Sequence, residues 1–332
     1  MKRTTAAGLA ALALTAGSVV PAAADPVPAP CTWRVEPVPL PPFAQPRYVH
    51  VDATDGEGNF AGRTVVGESA YSVVLWEHGE PRELDLPAGF DSAVPAGRNR
   101  SGTVLVNATS FSTTPATNQI FRYHDGTYEP VRLPAPYRDA RAAAINDRGD
   151  VVATAKVPGG TGTVVILWSV LAAGPVVIAP PELPWADAVD IDEDGAVLLS
   201  GGYSSYVWRA GTLTAQPPSP GTPVLARAIS AGTAVGTVLD VAGPKAVLWS
   251  QNTPHLLDGG GAAESVNRHG TIAGQAGAWD GPPAVWQGTS LVAKLPLPEG
   301  ASSASADLIG DDGTVFGRGD GDTGPVLWRC GS

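Results

Sequence analysis

Three observations on this chain of 332 residues predict an all-β fold. A unit of short strands and Gly-closed turns recurs seven times. The last copy lacks its final strand, which reappears near the N-terminus, and the two cysteines sit at those same two places. Together they predict a seven-bladed β-propeller of four-stranded antiparallel blades, its ring closed by an N-terminal strand that completes the last blade.

The chain begins like an exported protein. Lys2 and Arg3 form a positive region, Gly8 to Val20 an apolar run, and Pro21-Ala22-Ala23-Ala24 a small-residue cleavage site. Residues 1–24 read as a signal peptide, 25–30 as a Pro/Ala-rich leader, and 31–332 as a single propeller domain. The apolar run falls short of the roughly 20 residues a membrane-spanning helix needs, and no later stretch reaches that length. A secreted, unanchored extracellular monomer without a membrane span is expected. Its formal charge of −11 becomes −13 once Lys2 and Arg3 are removed. An acidic surface without basic runs does not attract phosphate backbones, so nucleic acid is not an expected partner.

In each repeat a first strand leads into a tight turn. The turns are Asp55 to Gly58, Asn99 to Gly102, Asn146 to Gly149, Asp192 to Gly195, a shortened Ser230 to Gly232, Asn267 to Gly270 and Gly310 to Gly313. An Asp or Asn side chain opens such a turn and Gly supplies the positive φ that ends it. The third strand ends in an aromatic: Trp76, Tyr123, Trp168, Trp208, Trp249, Trp286 and Trp328, about 37 to 47 residues apart. Recurrence at one repeat position marks these rings as packing between blades. Fourth strands close on Leu-Pro, as at Leu86-Pro87, Leu133-Pro134, Leu183-Pro184 and Leu297-Pro298.

The seventh copy stops after its third strand, at Trp328-Arg329-Cys330. Cys31-Thr32-Trp33, leading to Leu40-Pro41, supplies the missing fourth. An even cysteine count without C-x-x-C spacing in an exported chain reads as one disulfide, Cys31 to Cys330, rather than a metal site.

The segments Ala144-Ile145-Asn146-Asp147-Arg148-Gly149 and Ser265-Val266-Asn267-Arg268-His269-Gly270-Thr271-Ile272-Ala273-Gly274, with Ala284-Val285-Trp286 downstream, resemble the HAF repeats of extracellular bacterial proteins. The resemblance covers nearly the whole expected mature chain and implies a secreted propeller-like repeat. It carries no activity, and the fifth and seventh turns depart from its pattern.

Chemistry is sparser. Asp190, Asp192 and Asp194, with Gly195 after them, match the first half of a calcium loop, but the twelfth position, where a bidentate Glu is wanted, is Gly201. Metal and cofactor are therefore not expected. Gly319 to Gly324 spells G-x-G-x-x-G but carries two aspartates and precedes a strand, against a dinucleotide loop. The five histidines form no recognisable motif, and neither H-E-x-x-H nor G-x-S-x-G occurs.

Two residue sets stand out. Phe111, Trp185, Tyr203 and Trp279 fall on loops expected around one end of the channel, where aromatic faces stack on sugars. Counting back three residues from the turns gives Asp52, Arg227, Glu264 and Asp307, charges placed to face the channel. No catalytic residue is assigned outright. The leading expectation is a secreted, non-catalytic binding or interaction protein recognising extracellular polysaccharide or cell-envelope material. The alternatives are a propeller-type carbohydrate hydrolase or lyase using channel carboxylates, and a protein–protein interaction scaffold.

Overall fold

In the computed structural model, residues 31–331 are described except 43, 68, 179–182 and 218–221. The signal peptide and leader expected over 1–30 lie outside the described residues. The strands form seven separate four-stranded antiparallel sheets, each running from an innermost to an outermost strand. Six sheets take consecutive strands, and the seventh takes Thr32–Pro37 as its fourth. This strand pairs antiparallel with Gly324–Gly331, with Thr32 opposite Gly331 and Pro37 opposite Val326. Both cysteines are disulfide-bonded, and since the chain has only these two, the bridge joins Cys31 to Cys330.

The repeated Asn does more than open its own turn. Asn146 Oδ1 accepts from the Asp150 amide at 2.9 Å, closing the turn, while its Nδ2 donates to the Asp192 carbonyl of the next blade at 3.0 Å. Asn99 and Asn267 repeat the arrangement, reaching Asn146 O and Gly310 O at 3.2 and 3.0 Å. Only an amide serves both roles, because it accepts at one end and donates at the other. Where blade 5 has lost the residue, the direction reverses. The Asp192 carboxylate of blade 4 accepts from the Ala231 and Gly232 amides at 2.9 and 2.7 Å.

The third-strand tryptophans tie neighbouring blades. Trp76, Trp168, Trp286 and Trp328 donate their indole N–H groups to Pro39, Arg132, Asp258 and Pro296 carbonyls, at 2.7 to 3.0 Å, where the preceding blade's outer strand ends. Trp76, Trp249, Trp286 and Trp328 are at most 1% exposed, whereas Trp168 and Trp208 are only partly buried. The core accordingly lies between blades. One cluster joins Val73 and Leu75 of blade 1 to Val104, Val106 and Phe121 of blade 2. Burying each such ring against apolar neighbours stabilises the ring of blades by roughly 2–3 kcal/mol.

Candidate functional site: the charged arc of the channel

The seven innermost strands are His50–Thr54, Ser92–Arg98, Ala140–Ile145, Asp187–Ile191, Val224–Ser230, Gly260–Val266 and Ala304–Ile309. Each carries an irregularity at one and the same place. Register shifts fall between Val51 and Ala53, Pro95 and Gly97, Ala142 and Ala144, and Ala188 and Asp190. They recur between Ala226 and Ala228, Ala263 and Ser265, and Ala306 and Leu308. A β-bulge leaves one residue unpaired and re-aims its side chain. The bulged residues are Asp52, Ala96, Ala143, Val189, Arg227, Glu264 and Asp307, and all line one central cavity of about 350 Å³. Blades 5, 6, 7 and 1, consecutive around the ring, supply Arg227, Glu264, Asp307 and Asp52. The other three supply Ala96, Ala143 and Val189. At the bulged positions the channel is charged along one arc and apolar along the other.

Within the arc, Arg227 Nε lies 3.2 Å from Glu264 Oε2. Ser305 donates to Asp307 Oδ2 at 2.9 Å. Arg63, on the second strand of blade 1, pairs with Asp52 Oδ1. Asp52 Oδ2 is buried and has no hydrogen-bond partner among the described residues. Burial pushes the Asp52 carboxyl up to about 6 against the opposing pull of Arg63, and Asp307 adds to the rise. Burial likewise raises Glu264 and Asp307; Asp307 reinforces the effect on Glu264 while Arg227 opposes it. Desolvation and like charge together favour the protonated form. A carboxyl poised near neutrality beside other carboxylates is the setting for proton transfer.

The turn-side end of this cavity is spanned by Arg100. From blade 2 it pairs with Asp311 at 2.6 Å, Asp147 at 3.0 Å and Glu57 at 3.3 Å, on blades 7, 3 and 1. Asp190 also lines the cavity, but its carboxylate faces backbone. Its oxygens accept from the Ile191 and Ile229 amides, both at 2.8 Å, linking blades 4 and 5, and burial lifts it to about 7.

The remaining expectations fall as follows. Asp190, Asp192 and Asp194 do not converge. Asp192 is taken by backbone amides of blade 5, and Asp194 pairs with Arg209 and accepts from the Ala196 amide. Among the described residues no group of three or more His, Cys, Asp or Glu is arranged to hold a metal. Phe111, Trp185, Tyr203 and Trp279 are 53%, 52%, 68% and 42% exposed, on loops of blade 2, the blade 3–4 crossover, blade 4 and blade 6. On the loop before Ser92–Arg98, Phe90 packs edge-on against Phe121 at 5.3 Å. Sequence reasoning passed over Arg63, Arg318 and His50. The signal was present: Gly62-Arg63 and Gly317-Arg318 repeat at equivalent places in blades 1 and 7.

No protein-family model matches the chain, and no curated protein matches it. Solved structures do. A prolyl endopeptidase matches at 13% identity over 82% of this chain and 46% of its own, with a TM-score of 0.55. The β-propeller domain of the trilobed protease from Pyrococcus furiosus matches at 10% identity over 76% of this chain and 86% of its own, with a TM-score of 0.54. An acylaminoacyl peptidase from Pyrococcus horikoshii matches at 9% identity over 82% and 50%, with a TM-score of 0.54. The likeness is one of fold. The chain spans about half the length of the two peptidases. The trilobed protease domain is described as having an open velcro topology, whereas here Thr32–Pro37 closes the ring.

These comparisons correct the expectation of a non-catalytic binding protein. The propellers whose fold this chain shares belong to hydrolytic enzymes. The physical reason lies in where the polar chemistry sits: charged side chains from blades 5, 6, 7 and 1 line one central cavity. The hydrolase alternative is carried forward instead.

Proposed function

We propose that this chain is a propeller-type glycan hydrolase whose channel carboxylates perform acid–base chemistry. The observation that carries the reading is the run of bulged Arg227, Glu264, Asp307 and Asp52 on consecutive blades, with Asp52 raised to about 6 and its Oδ2 unpartnered. Hydrolysis of a glycosidic bond needs one carboxyl to protonate the leaving oxygen and one carboxylate to activate water or attack the sugar. Asp52 is the acid in this scheme, because its proton is retained to higher pH. Glu264 is the base: burial raises its carboxyl, and Arg227 at 3.2 Å pulls against that rise towards the ionised form. Asp307, on the blade between them, adds by like charge to the rise that burial imposes on Asp52.

The hydrolytic chemistry is taken over from the neighbours' names, but the peptide substrate is not. The sequence lacks an elbow-type nucleophile, and paired carboxylates suit glycosides. Secretion accords with the disulfide and with the absence, among the described residues, of a helix long and apolar enough to cross a membrane. Membership of the HAF-repeat family rests on the turn segments around Asn146 and Asn267 and is proposed on those alone.

The test is release of reducing ends from a panel of neutral and acidic polysaccharides by the purified protein and its Asp52→Asn and Glu264→Gln variants. Release by the wild type, lowered at least a hundredfold in either variant, supports the reading. Undiminished release in both folded variants, or none from any polysaccharide by the wild type, overturns it.

A further inference from the structure

Above the charged arc, where blades 7 and 1 meet, lies a cationic group that the acid–base scheme does not use. Arg318 sits on Val315–Gly319, opposite Ser305, immediately after Gly317. Its Nη1 lies 3.0 Å from Nδ1 and 2.9 Å from Nε2 of His50, and its Nη2 donates to the Arg47 carbonyl at 3.0 Å. These partners are neutral. Burial, together with Arg318 and Arg63, depresses His50 to about 4, so the imidazole stays uncharged at neutral pH and contributes an acceptor rather than a repelling cation. The neighbouring arginines are already compensated: Arg63 by Asp52, and Arg47 by Asp322 at 3.8 Å. Among the described residues no carboxylate lies within ion-pair distance of Arg318, although its charge is felt by Asp307.

A guanidinium carries five N–H donors in a planar fork. Two neutral acceptors fix the orientation of this one and leave donors and charge unspent. A half-buried, oriented and uncompensated arginine next to acid–base carboxylates calls for an anion that arrives with the substrate. We propose that Arg318 anchors an anion-binding subsite, and that the glycan handled in the channel is acidic, with a uronate carboxylate held by this guanidinium. The inference rests on the glycan reading above and adds its substrate class. A carboxylate matches the fork by paired N–H···O bonds, which are among the stronger hydrogen bonds in water-poor sites. Neutral sugars offer it only hydroxyls. Asp52 and Asp307 would repel an anion placed against them, so the subsite also restricts which way the sugar enters.

Direct binding separates this inference from the hydrolytic reading. The Glu264→Gln protein is titrated calorimetrically with a trisaccharide of galacturonic acid and with its neutral galactose counterpart. The uronate is expected to bind at least about tenfold more tightly, a preference lost on adding Arg318→Gln and reduced but not abolished on adding Arg318→Lys, which keeps the charge without the fork, with the neutral ligand unaffected by either. Raising salt should weaken only the uronate. Equal affinities for the two ligands, or an Arg318→Gln protein that keeps the preference, overturn the proposal and leave Arg318 as a tie between blades. Should Arg318→Gln fail to fold, the ligand comparison and its salt dependence in the parent protein decide alone. If uronate binding behaves as expected but no polysaccharide is cleaved, the hydrolytic reading fails and the anion subsite stands.

Discussion

The His50 carbonyl oxygen lies 1.8 Å from the point where a Cβ on Gly62 would stand. The innermost strand of blade 1 therefore rests directly on a bare backbone, two residues before the bulge that aims Asp52 into the channel. The same approach recurs at Gly236 against Leu225 O, Gly274 against Ala262 O and Gly317 against Ser305 O, at 2.2, 2.0 and 1.8 Å. These are the blades that bear Arg227, Glu264 and Asp307. The blades with uncharged bulges have Val106, Ala153 and Leu199 at the matching place. The glycines also admit the third-strand rings: Cζ3 of Trp76 and of Trp328 would stand 3.1 and 3.0 Å from the added carbons.

Gly62→Ala should therefore be costly well beyond the usual effect of adding a methyl group. The contact is with backbone, which cannot rotate away, so the strand itself must shift. A loss of about 1–3 kcal/mol or more is expected, read as a lower thermal midpoint. Activity should fall with it as Asp52 is displaced.

Asp52 also makes stability depend on pH. Its raised value favours the protonated form in the folded state. That contribution is fully present below the ordinary 3.8 and is lost as pH rises through about 6. Asp52→Asn lacks the effect, so the variant should gain on the wild type between pH 4 and pH 6, by up to roughly 2–3 kcal/mol. Denaturant melts of both proteins across that range measure it.

The ring closure was readable in the sequence because the missing strand, the Leu-Pro ending and both cysteines pointed to one arrangement. Counting back from the turn also led to the bulged positions, since the bulge keeps a constant distance from a turn of constant length. What stayed hidden depended on contacts between distant segments. The Asp190, Asp192 and Asp194 spacing suited calcium, yet two of those carboxylates serve amides of the next blade. Arg318 and His50 lie 268 residues apart and join only when the ring closes.

Reducing the bridge between Cys31 and Cys330 should open that closure. Cross-linking residues so far apart restricts the unfolded chain, and its removal is expected to cost roughly 5 kcal/mol in the chain-entropy picture. Cys31→Ser with Cys330→Ser should lower the unfolding midpoint markedly. Hydrogen exchange should rise first in Thr32–Pro37.

Asn267 makes a narrower claim. Asn267→Asp keeps the acceptor that closes its own turn and removes the donor to Gly310 O. A loss of about 1–3 kcal/mol is expected from the unpaired buried carbonyl and the new buried charge, measured by chemical denaturation.

The most direct test of the channel carboxylates is the pH profile of kcat/KM for glycan cleavage, wild type against Asp52→Asn. With Asp52 as the acid, the wild-type rate falls as pH rises through about 6, and in the variant the residual rate no longer shows that alkaline limb. An alkaline limb that persists unchanged in Asp52→Asn would contradict the assignment of Asp52 as the proton donor.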